Sequence, residues 1–358
     1  MKIITIIGAR PQFVKAAVVS QAIRQLAEQG ADIQEHILHT GQHYDYAMSE
    51  LFFTQLHIPA PKWHLDCGND MTRMKQAITP ILQAERPDIV IVYGDTYSTL
   101  AGAEAADALH IPVAHVEAGL RSFNNDMPEE RNRIATDRIA RWLFCPTQTA
   151  VNNLRNEGYT DGIYLVGDVM YDAALIFTPD EQEQEKILRR YNLSSKQFIL
   201  ATMHRAATAD NVPALTQIIT AMARTQRTVL LPLHPHTAKT IAAHPALQQL
   251  LDNAANIRVI EPIGYIETLT LERHALFILT DSGGMQKEAY FQRTPCITLR
   301  DETEWTETVQ AGWNTLAGTQ TEHILNALTM PFAKQPIGDY GDGHSAQQII
   351  RILCPNAC

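Results

Sequence analysis

The sequence has few cysteines and no excess of positive charge. Only five of its 358 residues are cysteine, and no two of them form a CxxC pair or a zinc-type spacing with histidine. An odd number of cysteines in a long chain is typical of reduced thiols and predicts a cytoplasmic protein. The net charge is -10 at pH 7, which argues against a basic face for nucleic acid or an anionic membrane. Neither partner is expected.

Long apolar runs are also missing. No stretch approaches the roughly 20 residues that a membrane-spanning helix needs, and the run from Ile3 to Ile7 is too short for a signal peptide. The chain is nevertheless 45% hydrophobic, which is ample for a large buried core. Its length predicts two domains or one large domain.

Short apolar runs alternate with helical segments along the chain. There are about eleven such runs, from residues 3–7 to residues 296–299. Their apolar residues are continuous rather than alternating, as in strands that are buried on both faces of a parallel sheet. Segments such as residues 12–29 carry apolar side chains at four-residue spacing and predict amphipathic helices. This order predicts a doubly wound α/β architecture.

About eleven strands are too many for one open sheet, and the apolar strand pattern breaks near residues 167–191. We therefore predict two Rossmann-like domains, residues 1–168 and 169–335, that face a central cleft. A helix in the C-terminal segment, residues 336–358, is expected to pack back on the first domain.

In the first half, charged residues follow several predicted strands, at the edge where open α/β sheets bind ligands. Arg10 follows the first strand at a helix start and suits a phosphate, although a plain turn with an exposed arginine fits equally well. Asp95 follows a later strand, where it either caps the next helix or takes part in chemistry. Glu117 is a weak capping residue, which favours a functional carboxylate. Glu130 lies in a Pro-Glu-Glu string, for which an ordinary helix start is the commoner explanation.

In the second half, histidines follow two successive strands. His204 ends one strand, and His234 and His236 end the next. Because both ends face the ligand-binding edge, a functional role is favoured over isolated structural histidines. Zinc is the alternative for His234 and His236, but no third ligand has a suitable spacing, so no metal is predicted.

The string from Thr280 to Glu288 is the sharpest local signal. It follows an apolar strand and opens a helix. Gly283 and Gly284 permit close backbone approach, and the amides of the first turn with the Ser282 hydroxyl suit a pyrophosphate. Glu288 is placed to accept hydrogen bonds from ribose hydroxyls. The string matches neither the dinucleotide fingerprint nor the P-loop, and a plain capped helix is the alternative.

Taken together, these strings resemble the non-hydrolysing UDP-N-acetylglucosamine (UDP-GlcNAc) 2-epimerase family along nearly the whole chain. The matching strings are GARPQFVK at 8–15, TGQHYD at 40–45, YGDTYSTLAG at 93–102, HVEAGLRS at 115–122, MPEERNR at 127–133, LVGDVMYDA at 165–173, HR at 204–205, LHPH at 233–236 and TDSGGMQKEA at 280–289. Each is weak alone, but their ordered co-occurrence is specific. The resemblance implies the GT-B-like fold of two Rossmann-like domains that one large class of glycosyltransferases also has.

The resemblance also implies a reaction. The family converts UDP-GlcNAc to its 2-epimer by eliminating UDP to a 2-acetamidoglucal and adding it back on the other face, for bacterial surface polysaccharide precursors. No cofactor, a UDP-sugar substrate and a homodimer are implied. The implied catalytic residues are Asp95, Glu117, Glu130 and His204. The implied substrate or nucleotide contacts are Arg10, Lys15, Gln42, His43, Arg133, His234, Ser282, Gly283, Gly284 and Glu288.

Two strings depart from the family. Residues 8–12 read Gly-Ala-Arg-Pro-Gln rather than Gly-Thr-Arg-Pro-Glu, and residues 303–307 read Thr-Glu-Trp-Thr-Glu rather than Thr-Glu-Arg-Pro-Glu. Both changes resemble the branch that acts on UDP-2,3-diacetamido-2,3-dideoxyglucuronate, which is therefore the alternative substrate. A glycosyltransferase of the same fold and a non-catalytic UDP-sugar sensor are alternatives of other classes, because fold does not fix function.

Overall fold

A computed structural model describes residues 1–42 and 52–355. The chain divides into two compact units: residues 1–176 with the segment from Gly338 onward, and residues 177–337. Each unit contains one parallel β-sheet with helices between its strands, so the predicted α/β class is confirmed. None of the helices in the described ranges is long and apolar enough to cross a membrane.

The first unit contains a seven-stranded sheet in the order β3-β2-β1-β4-β5-β6-β7, with every neighbouring pair parallel. Its strands are β1 (Lys2–Ile7), β2 (Gln34–His39), β3 (Trp63–His64), β4 (Ile89–Tyr93), β5 (Val113–Val116), β6 (Trp142–Cys145) and β7 (Ile163–Leu165). All residues of β4 and β5 are buried, as expected for central strands that helices cover on both faces.

Helices connect these strands. They are α1 (Arg10–Glu28), α2 (Met71–Glu85), α3 (Tyr97–Asp107), α4 (Pro128–Ile139), α5 (Gln148–Asn156) and α6 (Val169–Phe177). α3 lies close against the sheet, because a Cβ atom on its Gly102 would come within 2.9 Å of Ile6. The last described helix, α16 (Ser345–Leu353), contacts α1 in the same unit.

The second unit contains a six-stranded parallel sheet in the order β10-β9-β8-β11-β12-β13. Its strands are β8 (Phe198–Thr202), β9 (Thr228–Pro232), β10 (Ile257–Ile260), β11 (Phe277–Thr280), β12 (Cys296–Thr298) and β13 (Asn314–Leu316). Its helices are α7 (Glu181–Arg190), α8 (Ala206–Ala209), α9 (Val212–Arg224), α10 (Pro235–Ala243), α11 (Pro245–Asp252), α12 (Tyr265–His274), α13 (Gly283–Phe291), α14 (Thr306–Gln310) and α15 (Thr321–Ala327).

Both sheets reverse their strand order at one point. The reversal falls between β1 and β4 in the first sheet and between β8 and β11 in the second. In doubly wound sheets, ligands bind beyond the carboxyl ends of the strands at such switch points. The turns that follow these four strands are therefore where a functional site is expected.

Candidate active site

The side chain of Gln12 forms hydrogen bonds to the turn after β1 and to the end of β4, at the switch point of the first sheet. Its side-chain oxygen accepts hydrogen bonds from the amides of Gly8 and Ala9 at 2.8 and 3.0 Å. Its side-chain nitrogen donates to the carbonyl of Tyr93, at the end of β4, at 3.0 Å. A glutamate has no such donor when ionised. In the sequence, Gln12 stood out only as a departure from a motif, whereas the structure gives its amide a specific role.

Two of the predicted substrate contacts, Arg10 and Gln42, lie at the same edge of the first sheet. Arg10 is the first residue of α1 and is partly exposed, at the positive end of the helix dipole. Gln42 accepts hydrogen bonds from the amide and the hydroxyl of Ser98 at 3.0 and 2.7 Å. His43 lies outside the described residues. Arg10 therefore stands where a phosphate group is favoured electrostatically.

Lys15 and Glu117 form a buried ion pair in which each side chain is 8% exposed. Both lie against Gly94, because a Cβ atom there would be 3.2 Å from the Lys15 Nζ and from the Glu117 Oε2. Glu117 has a φ of 74°, which few residues other than glycine adopt and which tends to occur at functional sites. Lys15 thus fixes a carboxylate at the ligand-binding edge.

Arg133 joins two other predicted catalytic carboxylates. Its guanidinium group bonds to Glu130 Oε2 at 2.6 Å and to Asp95 Oδ2. The Asp95 side chain is 29% exposed, whereas that of Glu130 is 1% exposed. Glu130 also accepts hydrogen bonds from the Ser122 amide and hydroxyl and from the Phe123 amide. Asp95 is therefore the carboxylate of this pair that a substrate can reach, and Glu130 holds Arg133 and the loop at Ser122.

The three predicted carboxylates converge on a single turn. Gly94 touches the ion pair of Glu117, Asp95 follows Gly94 in sequence, and Arg133 links Asp95 to Glu130. Because neighbouring charges and hydrogen bonds set the proton affinity of each carboxylate, such a cluster can hold groups with different acid–base roles. The arrangement suits general acid–base chemistry.

Asp281 organises the corresponding edge of the second sheet. Its buried carboxylate accepts hydrogen bonds from the backbone amides of His204 at 3.1 Å and Arg205 at 3.0 Å. The His204 side chain is 41% exposed, and its Nδ1 lies 3.5 Å from an Asp281 oxygen. The ring centres of His204 and His234 are 5.9 Å apart. The two predicted site histidines therefore lie side by side at the second switch point.

The zinc alternative for His234 and His236 gains no support from the geometry. The Nδ1 of His234 accepts a hydrogen bond from the His236 amide at 3.2 Å, which caps α10, and the His236 ring bonds to Asp210 at 2.6 Å. Among the residues that the structure describes, no three histidine, cysteine, aspartate or glutamate side chains are grouped as metal ligands.

The turn before α13 combines a capping hydroxyl with two glycines. Ser282 is the N-cap residue, and its hydroxyl accepts a backbone hydrogen bond at 3.5 Å. A Cβ atom on Gly283 would overlap an oxygen of Glu304, whereas one on Gly284 would meet nothing closer than Glu288 Oε2 at 3.8 Å. The first-turn amides carry the positive end of the helix dipole, which attracts anions.

Glu304 lies in the candidate site, although no motif in the sequence marks it. Its carboxylate lies beside Gly283, and Arg300 Nη1 and Arg205 Nη2 lie 3.1 and 3.5 Å from its two oxygens. Glu304 and Arg300 are both buried. The only signal in the sequence was the unusual string at residues 303–307. The structure thus places a protein carboxylate at the helix start where the sequence predicts a pyrophosphate.

Two buried acids, Glu272 and Glu288, interact electrostatically near this turn. Glu272 has no exposed surface, and neither of its carboxyl oxygens has a hydrogen-bond partner in the described structure. Burial, followed by the negative charge of Glu288, raises the pKa of the Glu272 carboxyl well above its ordinary value of 4.5. The protonated form of Glu272 is therefore favoured, which lessens repulsion of an ionised Glu288.

Comparison with known proteins gives matches over most or nearly all of the chain. A family model for UDP-N-acetylglucosamine 2-epimerase matches residues 24–354. A UDP-N-acetylglucosamine 2-epimerase homolog of Methanococcus maripaludis is 46% identical, with 99% of each chain covered. The UDP-2,3-diacetamido-2,3-dideoxy-D-glucuronate 2-epimerase of Pseudomonas aeruginosa is also 46% identical, with 99% of each chain covered. The crystal structure of Methanocaldococcus jannaschii UDP-GlcNAc 2-epimerase in complex with UDP-GlcNAc and UDP matches with a TM-score of 0.91 and 38% identity, covering 99% of this chain and 100% of that one.

Proposed function

Because the chain belongs to the UDP-N-acetylglucosamine 2-epimerase family, we propose that it inverts carbon 2 of a UDP-linked 2-acetamido sugar, of the UDP-GlcNAc type. The named relatives establish that it is an epimerase, an isomerase. The observation that carries the proposed chemistry is the convergence of Asp95, Glu117 and Glu130 on the turn at Gly94.

A reaction that eliminates UDP needs groups that remove and return a proton, which is the role we give to the carboxylates. The proton on C2 of an acetamido sugar is only weakly acidic, so a base removes it as the C1–O bond breaks and UDP leaves with the electron pair. A 2-acetamidoglucal remains. Return of a proton to the other face of C2 and re-addition of UDP at C1 give the 2-epimer. We assign the proton transfers to Asp95 and Glu117, because the bonds around Glu130 favour a role through Arg133.

The second unit supplies groups suited to UDP. The amides after Ser282 would stabilise the charge that builds on the departing pyrophosphate, and Glu288 would accept hydrogen bonds from the ribose. The matching Methanocaldococcus jannaschii structure is a complex with UDP-GlcNAc and UDP, which supports a UDP-sugar as the ligand class of this chain. A phosphate at the start of α13 requires the Glu304 carboxylate to move. Its partners Arg300 and Arg205 would then become available to the nucleotide.

UDP-2,3-diacetamido-2,3-dideoxyglucuronate is the second candidate substrate. The Pseudomonas aeruginosa relative that is named for this sugar has the same identity to this chain as the Methanococcus maripaludis relative. The departures at Gln12 and Trp305 also favour it. Trp305 is buried, and the Lys287 ammonium group lies 4.2 Å from the centre of its ring, so this segment differs in charge and shape from one that carries an arginine.

Proton NMR in deuterated water tests the proposal. We expect incubation of UDP-GlcNAc or of the diacetamido sugar with the enzyme to place deuterium at C2 and to form the 2-epimer without any acceptor. Comparison of the two sugars identifies the substrate. A glycosyltransferase would leave C2 unlabelled, and a hydrolysing epimerase would release free UDP and N-acetylmannosamine. Unlabelled C2 in both sugars would contradict the proposal.

The homodimer stays a prediction, for which sedimentation is the measurement.

A further inference from the structure

A buried histidine is bonded to the turn that carries Asp95. His115 lies in β5, next to β4 in the sheet, and its side chain has no exposed surface. Its Nε2 lies 2.7 Å from the carbonyl oxygen of Gly94, and its Nδ1 lies 2.7 Å from Asp137 Oδ1 in α4. The imidazole ring therefore bridges a helix and the turn immediately before Asp95.

Both ring nitrogens of His115 face hydrogen-bond acceptors. The Gly94 carbonyl has no proton to donate. Because a ring nitrogen donates only when it carries a proton, Nε2 carries the proton of the bond to Gly94, and Nδ1 shares the second bond with Asp137.

Asp137 extends the connection to the turn after β5. Its Oδ2 accepts a hydrogen bond from the Gly119 amide at 3.2 Å and lies 2.8 Å from Arg121 Nη1. Gly119 is two residues beyond Glu117. One buried carboxylate thus holds the turn of Glu117 directly and the turn of Asp95 through His115.

We propose that His115 is a positioning residue that fixes Asp95 relative to Glu117 through its bonds to the Gly94 carbonyl and to Asp137. This inference rests on the proposed function, since it concerns the carboxylates that transfer the protons. A displacement of about 1 Å in a reacting group can lower a rate by roughly 100-fold. A weakened link between the two turns is therefore expected to reduce turnover much more than substrate or UDP affinity.

Two substitutions of His115 can each keep one of its two hydrogen bonds and remove the other. An asparagine amide reaches about as far as Nδ1 and can keep the bond to Asp137, whereas a glutamine amide reaches about as far as Nε2 and can keep the bond to Gly94. We expect His115→Asn to lower kcat by about 10- to 100-fold with KM and the UDP Kd changed less than about twofold. His115→Gln should lose less activity. The exposed His110→Asn variant in the same unit is the matched control and should behave as wild type.

Nitrogen-15 NMR of the wild-type protein at neutral pH gives a readout that does not depend on turnover. We expect a bonded proton on Nε2 of His115, and an Nε2 without a proton would overturn the bond to Gly94. A wild-type kcat in His115→Asn would overturn the positioning role. So would equal losses of kcat and UDP affinity with a lowered melting temperature, which indicate damage to the fold. Absence of C2 labelling by the wild-type enzyme would refute the proposed function and this role with it, whereas the nitrogen spectra report only on the bond between His115 and Gly94.

Discussion

Lys15 of α1 and Glu117, just after β5, form an ion pair that is nearly closed to solvent, although 102 residues separate them in the chain. The pair joins the helix after the first strand to the turn that carries a predicted catalytic carboxylate. A buried ion pair adds little net stability, because both charges lose their hydration, but removal of one partner is costly because the other stays buried and uncompensated.

Removal of the lysine should therefore destabilise the first unit strongly. We expect Lys15→Met to lower the free energy of unfolding by about 3 kcal/mol, measured by urea denaturation. The double variant Lys15→Met/Glu117→Leu should regain much of this loss but remain inactive. Lys75→Met is the control, because its pair with Glu104 is much more exposed, at 43% and 29% of the two side chains, and should contribute less than about 1 kcal/mol. Equal effects of Lys15→Met and Lys75→Met would contradict the prediction.

Two adjacent glycines at the start of α13 should respond differently to alanine. Gly283→Ala places a methyl group on the Glu304 carboxylate, whereas Gly284→Ala meets only atoms 3.8 Å or more away. We expect Gly283→Ala to cost about 1–3 kcal/mol of unfolding free energy through overpacking and to weaken UDP binding. Gly284→Ala should be close to neutral in stability. Thermal melts of the two variants compare them directly. Similar losses of stability in both would show that the Glu304 side chain moves aside at little cost.

Strands with continuous apolar runs could be predicted from the sequence, and the shortest ones could not. β4 (Ile89–Tyr93) is apolar and buried throughout, so a continuous apolar run marks it in the sequence. β3 (Trp63–His64) is two residues long and is defined by pairing with β2. β13 (Asn314–Leu316) contains a buried asparagine and a threonine, so no apolar run marks it. Such edge strands depend on a neighbour that the local sequence does not reveal.

The candidate site, like the strands, could be predicted only in part from the sequence. The rule that ligands bind at strand ends was enough to select Asp95, Glu117 and Ser282 as candidates. It could not reveal that Lys15 neutralises Glu117 or that Glu304 lies at the start of α13, because those contacts join residues far apart in sequence. Charged partners at long separation are fixed by tertiary packing rather than by local pattern.

Glu272 should make stability depend on pH. The pKa of its carboxyl is raised in the folded protein above 4.5, so the folded state binds this proton more tightly than the unfolded state. Its contribution to stability is therefore complete below pH 4.5 and is lost as the pH rises above that value. One proton accounts for at most about 1.4 kcal/mol per pH unit. Urea midpoints across pH should fall less steeply for Glu272→Gln than for wild type, whereas the exposed Glu261→Gln control should follow wild type. Parallel curves for Glu272→Gln and wild type would argue against a raised pKa.

Asp95 should be needed for turnover but not for nucleotide binding. Asp95→Asn keeps the shape of the side chain and removes its ability to take up a proton, so we expect kcat to fall by orders of magnitude. UDP affinity, measured by calorimetry, should stay close to that of wild type. Asp107→Asn in α3 is a surface control that should leave kcat unchanged. An active Asp95→Asn enzyme would exclude Asp95 as a proton-transfer group.

Ser282, in contrast to Asp95, should be needed for nucleotide binding. Its hydroxyl caps α13 and stands beside the amides that we assign to the pyrophosphate, so Ser282→Ala removes one hydrogen-bonding group from the nucleotide. We expect UDP affinity to weaken by about 1 kcal/mol, which is a roughly fivefold rise in Kd. Loss of the cap itself costs helix stability of about the same size, so a melting curve must accompany the titration. Ser282→Thr, which keeps the hydroxyl and the cap, should restore most of the affinity. An unchanged Kd in a folded Ser282→Ala protein would mean that the phosphates bind elsewhere, and the assignment of the second unit to UDP would lose its main support.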